Sequence, residues 1–361
     1  MLPLLPSLSL SARKTPKLLI IFFVFCFALF HASVQANETE SKRGEFLGAM
    51  ETVYPDWFKV SFLELEEDVA EAAANGKRLM LLFHQDSCPY CNAFVERNLT
   101  QKDIEMTLKE KFDVIELNMW GDREMVSVEG ETYTEKEFAK AVSVQFTPTI
   151  LFLTEEGNLS LRLNGYLNPD RFRLALQYVS DKMESKESFT DFVTSRSDEP
   201  SSKTLIVRDY FTGPITKFVE RPDNASKPLL LMFEQGSCRN CETLHDRVLS
   251  LQVSQELLKR FDVYRIDMWG RSTFKTPAGD ETTGRELSNE LDVSYAPTMI
   301  FYSADGAEVI RSEAYFKTFH TQSIMDYVAS GAWRTQSSFQ RYIAERADIL
   351  REQGINVDIW D

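Results

Sequence analysis

Four cysteines stand in two pairs of one spacing, Cys88-Pro89-Tyr90-Cys91 and Cys238-Arg239-Asn240-Cys241. Two thiols at i and i+3 at the start of a helix face the same way. The first can then attack a disulfide and the second can reach back to resolve the mixed disulfide, which is the exchange cycle. The N–H groups and dipole of a helix N-terminus favour an anion, so a cysteine placed there has a lowered pKa. Cys88 and Cys238 are accordingly the expected attacking thiols, on helix tips within reach of solvent, and Cys91 and Cys241 the resolving ones. Pro89 suits a first helical turn because its missing N–H is not needed there. Arg239, in the equivalent place, brings a positive charge that favours the Cys238 thiolate. A scaffolding disulfide usually closes a long loop, and a two-residue gap restricts the unfolded chain little. Four thiolates would also suit one tetrahedral zinc. Each pair, however, sits in its own complete repeat, so neither a metal nor a cofactor is expected.

The repeat is visible at an offset of 150 residues. Leu79 to Phe83 leads through Gln85 to the first pair, and Leu229 to Phe233 leads through Gln235 to the second. Further on, Phe112-Asp113-Val114 matches Phe261-Asp262-Val263, Met119-Trp120-Gly121 matches Met268-Trp269-Gly270, and Pro148-Thr149 matches Pro297-Thr298. Two copies of one domain explain the length of 361 residues. The apolar runs before the cysteines have the length of buried strands. Phe94, Val95 and Leu99, and likewise Leu244, Val248 and Leu249, form helical stripes after them. Second strands are expected at Val114–Met119 and Val263–Met268. Helices should begin at Thr134 with Glu137 and at Thr283 with Glu286, both in capping-box spacing. Third strands follow at 150–153 and 299–302, then a turn, a half-exposed fourth strand and a last helix. Ser61 to Gly76 predicts an amphipathic lead-in helix that Gly76 can end. Trp120 and Trp269 are expected in the core, and His84 and His245, which are not shared between copies, as incidental surface or packing residues.

Pro148 and Pro297 each open an apolar strand, which suits a turn with a cis bond better than a central ladder position. The backbone before them, at Thr147 and Ala296, would then be free to pair with an extended substrate beside the sulfur. Taken together, Cys88-Pro89-Tyr90-Cys91 with Phe146-Thr147-Pro148-Thr149, and Cys238-Arg239-Asn240-Cys241 with Tyr295-Ala296-Pro297-Thr298, resemble the thioredoxin superfamily. Asp56-Trp57-Phe58, Glu67 to Ala72, Gly76-Lys77-Arg78 and Ser330-Gly331-Ala332-Trp333-Arg334 look more narrowly like exported bacterial thioredoxins of the SoxW type. The resemblance implies an α/β chain of two tandem thioredoxin-like domains, each with a central mixed β-sheet flanked by helices. It also implies a thiol–disulfide oxidoreductase acting outside the cytoplasm, in the SoxW case associated with sulfur oxidation. Pro89, Tyr90, Thr147, Pro148, Arg239, Ala296 and Pro297 would then contact the substrate. Many thioredoxins carry a buried acid six residues before the first cysteine; here those places hold Leu82 and Met232, which leaves Glu234 or His84, four residues before, or a water molecule as the substitute.

Composition and export frame this reading. Lys plus Arg is 40 against 55 for Asp plus Glu, a formal charge of -15. A surface this acidic repels phosphate backbones, which argues against a nucleic-acid partner. Arg13, Lys14 and Lys17 precede an apolar run from Leu18 to Phe30 and then Val34-Gln35-Ala36. That is the pattern of a secretory signal cut after Ala36. The expected organisation is a signal peptide at 1–36, a first domain with its helical lead-in at 37–198, and a second domain with a helical extension at 199–361, joined by a polar linker at 195–203. The expected function is periplasmic exchange with a protein or small-molecule disulfide, served by a membrane electron donor or acceptor. The alternative is a non-catalytic binding or scaffold protein that kept the fold.

Overall fold

The structure, a computed structural model, describes residues 42–196, 205, 207–222 and 225–360. The expected signal segment, its cut after Ala36 and most of the expected linker lie outside the described residues. Strand Arg78–His84 is buried along its whole length because both of its faces are covered. Met80 and Leu82 join one core with Phe94, Phe152 and Phe172. Leu79, Leu81 and Phe83 join another with Ile115, Leu117 and Phe138. Such a strand needs a continuous apolar run, and Leu79 to Phe83 supplies it between Arg78 and His84. It is central in a four-stranded sheet of order Phe112–Asn118, Arg78–His84, Thr149–Leu153, Leu159–Asn164. The first pairing is parallel and the other two antiparallel.

The second repeat builds the same sheet from Asp262–Asp267, Leu229–Glu234, Thr298–Tyr302 and Glu308–Ser312. The architecture is therefore two tandem thioredoxin-like domains, each a mixed sheet flanked by helices, as the sequence implied. Both capping boxes form: Glu137 and Glu286 reach back to the N–H groups of Thr134 and Thr283 at 2.8 and 2.9 Å. The lead-in helix is shorter than its apolar pattern suggested, Leu65–Ala74. Ser61 instead takes the N–H of Leu63 and donates to the Asp68 carboxylate, and Leu63 turns the chain with a φ of 65°. Gly76 ends the helix with a φ of 69°.

Each repeat carries elements that the sequence did not predict. The helix that starts at the cysteines continues as a π-helical turn, Val95–Leu99 and Leu244–Leu249. Helices Lys102–Lys111 and Gln252–Leu258 follow. A hairpin of three-residue strands precedes each capped helix, Glu124–Val126 with Thr132–Thr134 and Thr273–Lys275 with Glu281–Thr283.

The C-terminal extension is a 14-residue helix, Phe339–Glu352, and then a short strand, Val357–Asp358, that pairs in parallel with Phe46–Leu47 ahead of the first repeat. The two repeats also share cores. Cys88, Tyr90, Cys91 and Phe146 belong to one apolar cluster with Leu230, Met232, Phe316 and Phe339. Tyr295, the counterpart of Phe146, packs into the core of the first repeat.

Candidate active site

Ser87 and Ser237 take left-handed φ angles of 60° and 55°, which turn the chain from each central strand into the next helix. Cys88 caps helix Pro89–Phe94 and Cys238 caps Arg239–Thr243. The N–H of Cys91 donates to the Cys88 sulfur at 3.1 Å, and that of Cys241 to the Cys238 sulfur at 3.0 Å. Each pair is disulfide-bonded within itself, with Cα atoms 5.3 and 5.2 Å apart. The Thr147–Pro148 and Ala296–Pro297 peptides are cis. Sγ of Cys88 lies 3.6 Å from the Thr147 carbonyl oxygen and 3.3 Å from its hydroxyl; Sγ of Cys238 lies 3.7 Å from the Ala296 carbonyl oxygen. Residues nearly sixty positions apart in sequence thus meet twice, in the same way. Among the described residues no group of three or more His, Cys, Asp or Glu is placed to hold a metal ion.

The surroundings of the two pairs differ. Cys88 is 3% exposed and Tyr90 is 4% exposed. Cys238 is also buried, at 7% exposed, so neither tip has the free exposure expected of it, and the first is covered further by the second repeat and the C-terminal helix. The Tyr90 ring packs edge-on to Phe316, His320 and Trp360, and its hydroxyl accepts the N–H of Lys317 at 3.0 Å. Burial pushes the Tyr90 hydroxyl pKa up and brings His320 down to about 4, so both are neutral at pH 7. Pro89, Thr147 and Pro148 are buried, and Gln85 donates to the Thr147 hydroxyl at 3.0 Å. Around Cys238 the chain is more open. Arg239 is exposed and Ala296 half-buried, and they share a groove with Cys238, Gln235 and Trp269. Asn168, Asp170 and Arg171 of the first repeat supply its other wall.

Several contributors were not anticipated. Trp120 and Trp269 stand at the grooves rather than in the cores: their indole N–H groups donate to Gln85 and Gln235, each at 2.9 Å. The recurrence of Gln85 and Trp120 as Gln235 and Trp269 in the second copy was the available signal. His245 is not incidental. It is buried with Glu234, Nε2 to Oε1 2.5 Å, and its Nδ1 is hydrogen-bonded to the Tyr210 hydroxyl. Burial and the Glu234 charge push Tyr210 up. In the first repeat His84 pairs with Glu116 at 2.5 Å. Burial there favours the protonated carboxyl, but His84 and Arg123 outweigh it and hold the Glu116 pKa below its ordinary value. The places of the missing acid, Leu82 and Met232, are buried apolar positions.

The thioredoxin-like domain family matches the chain twice, over residues 65–180 and 219–329. No curated protein matches it. Among solved structures, a thioredoxin-fold protein from Helicobacter pylori is 24% identical, covering 34% of this chain and 80% of its own, with a TM-score of 0.31. A thioredoxin from Thermus thermophilus is 23% identical over 39% of this chain and 89% of its own, TM-score 0.27. The oxidised C-terminal domain of DsbD from Neisseria meningitidis is 16% identical over 32% and 91%, TM-score 0.24.

Proposed function

The chain belongs to the thioredoxin-like domain family through both of its repeats, and from that premise we propose that it is a thiol–disulfide oxidoreductase with two exchange centres. One observation carries the reading: in each repeat the first cysteine sulfur accepts the N–H of the second while lying against the residue before a cis-proline. The N–H that caps the sulfur stabilises a thiolate more than a thiol, so it favours the attacking form. In the reduced protein the Cys88 or Cys238 thiolate attacks one sulfur of a substrate disulfide and expels the other as a thiol. Cys91 or Cys241 then attacks the mixed disulfide and expels the second thiol. Two electrons pass to the substrate, and the protein is left with the disulfide described above; the reverse sequence oxidises a dithiol.

Substrate contact falls in this proposal to Arg239, Ala296 and Pro297 at the second centre and to Pro89, Tyr90, Thr147 and Pro148 at the first. Export to the periplasm is supported by the basic and apolar segment at 1–36, and no helix among the described residues is long and apolar enough to cross a membrane. A membrane electron donor or acceptor then completes the cycle, and the likeness of the flanking phrases to SoxW-type thioredoxins supports a link to sulfur oxidation. The test is insulin reduction driven by dithiothreitol. Cys88→Ser combined with Cys238→Ser should fall to the uncatalysed rate, and full activity in that double variant overturns the proposal.

A further inference from the structure

We propose that the first centre acts on low-molecular-weight disulfides carrying an apolar group and excludes polypeptide disulfides, which are left to the second centre. This rests on the exchange reading above and adds a division of substrate between the two pairs. The backbone along which an extended polypeptide would run on from Thr147 is already engaged two residues earlier, at Gln145, by the C-terminal helix. The Gln145 carbonyl accepts from the Gln340 side chain at 3.0 Å, and the Gln145 side chain accepts the N–H of Phe339 at 3.1 Å. Gln85 donates to Gln340 at 2.9 Å, which ties the C-terminal helix to the loop in front of Cys88. The Phe339 ring is fully buried and stands 5.3 Å from that of Phe146. The far end of the segment is held by the pairing of Val357–Asp358 with Phe46–Leu47. The cover is therefore fastened at both ends.

What remains beside Cys88 is a cavity of about 260 Å³. Phe46, Phe316, Phe319, Ile343, Ala347 and Ile359 give it apolar walls. Asp86 and Arg341, one charge of each sign, also line it. His320 is another wall residue. A space this small, with apolar walls, suits a small apolar molecule better than an extended chain. At the second centre Cys238 opens instead on a groove with Asn168, Asp170 and Arg171.

The reaction keeps the balance given above: the Cys88 thiolate forms a bond to one sulfur of the small disulfide, the other sulfur leaves as a thiol, and Cys91 closes the protein disulfide. The test uses full-length protein in single turnover. One form keeps the first pair (Cys238→Ser with Cys241→Ser) and the other keeps the second (Cys88→Ser with Cys91→Ser). Each is reduced, freed of reductant, mixed with excess lipoamide or insulin, and quenched with an alkylating agent for thiol counting. The first-pair form should reduce lipoamide but reduce insulin at least about tenfold more slowly than the second-pair form, the loss expected when a substrate strand is denied its backbone hydrogen bonds. Ala344→Trp, at an exposed position on the cavity rim, should slow lipoamide reduction by the first pair about tenfold by filling the space. It should leave the second pair unchanged, which also reports an intact fold. Insulin reduction by the first-pair form as fast as by the second overturns this inference and leaves the exchange reading standing. Failure of both forms on both substrates overturns the two together.

Discussion

Replacing His245 with leucine should destabilise the second repeat far more than the size of the change suggests. Glu234 and His245 are each 1% exposed, their 2.5 Å contact is shielded from water, and Tyr210 completes the chain. Removing one partner leaves the other buried without compensation, a loss of about 3–5 kcal/mol for a buried pair. Losing the Tyr210 hydrogen bond adds roughly 1 kcal/mol. Glu234→Leu should cost a similar amount for the same reason. The double variant, with both polar groups gone and apolar volume restored, should be more stable than either single one, giving a coupling of at least about 2 kcal/mol. Urea unfolding of the four proteins with disulfides intact measures this cycle. Single losses below about 1 kcal/mol that simply add in the double variant would refute the claim that the pair is buried and mutually dependent.

Two further outcomes follow from other contacts. The Glu155 carboxylate is held down to about 2, first by its hydrogen bond from Arg78 at 2.9 Å and also by Lys182 at 2.8 Å. A folded-state pKa below the ordinary 4.5 gives stability that is present above that value and is lost as pH falls towards 2. Glu155→Gln should therefore cost on the order of 2 kcal/mol at pH 7 and no more than about 0.4 kcal/mol at pH 2, read from urea midpoints. Thr283→Ala removes the hydroxyl that accepts the N–H of Glu286 at 3.1 Å. It should lower stability by about 1 kcal/mol, and an unchanged midpoint would show that the capping box contributes nothing.

The parts of the fold legible in the sequence were those set by local chemistry. An apolar run of only five residues bounded by polar ones, Leu79 to Phe83, suits a doubly covered strand, and Thr134 with Glu137 announces a helix start whatever packs on it. Repetition strengthened each such reading because Thr283 with Glu286 says the same thing independently. The short hairpins escaped because strands of three residues, such as Thr132–Thr134, show too few alternations to be seen. Helix Lys102–Lys111 escaped because it buries only Ile104 and Leu108. The site divided in the same way. Spacing foretold the meeting of Cys88 with Thr147 and of Cys238 with Ala296, since both follow from one domain's own topology. The covering of Cys88 did not, because it comes from Phe316, Phe339 and Gln340, residues of the other repeat and its extension. The Glu234–His245 pair was likewise hidden: Val95 stands in the place of His245 in the first copy, so comparing the repeats drew attention away from it.

The central claim is that a helix-tip N–H and its dipole make Cys88 and Cys238 the attacking sulfurs. The direct measurement is iodoacetamide alkylation of the reduced protein against pH, with each modified cysteine identified by mass spectrometry. Cys88 and Cys238 should be labelled first in their pairs, with midpoints below the ordinary thiol value of about 8.5. Labelling that begins at Cys91 and Cys241, or midpoints at or above that value for Cys88 and Cys238, would contradict the account.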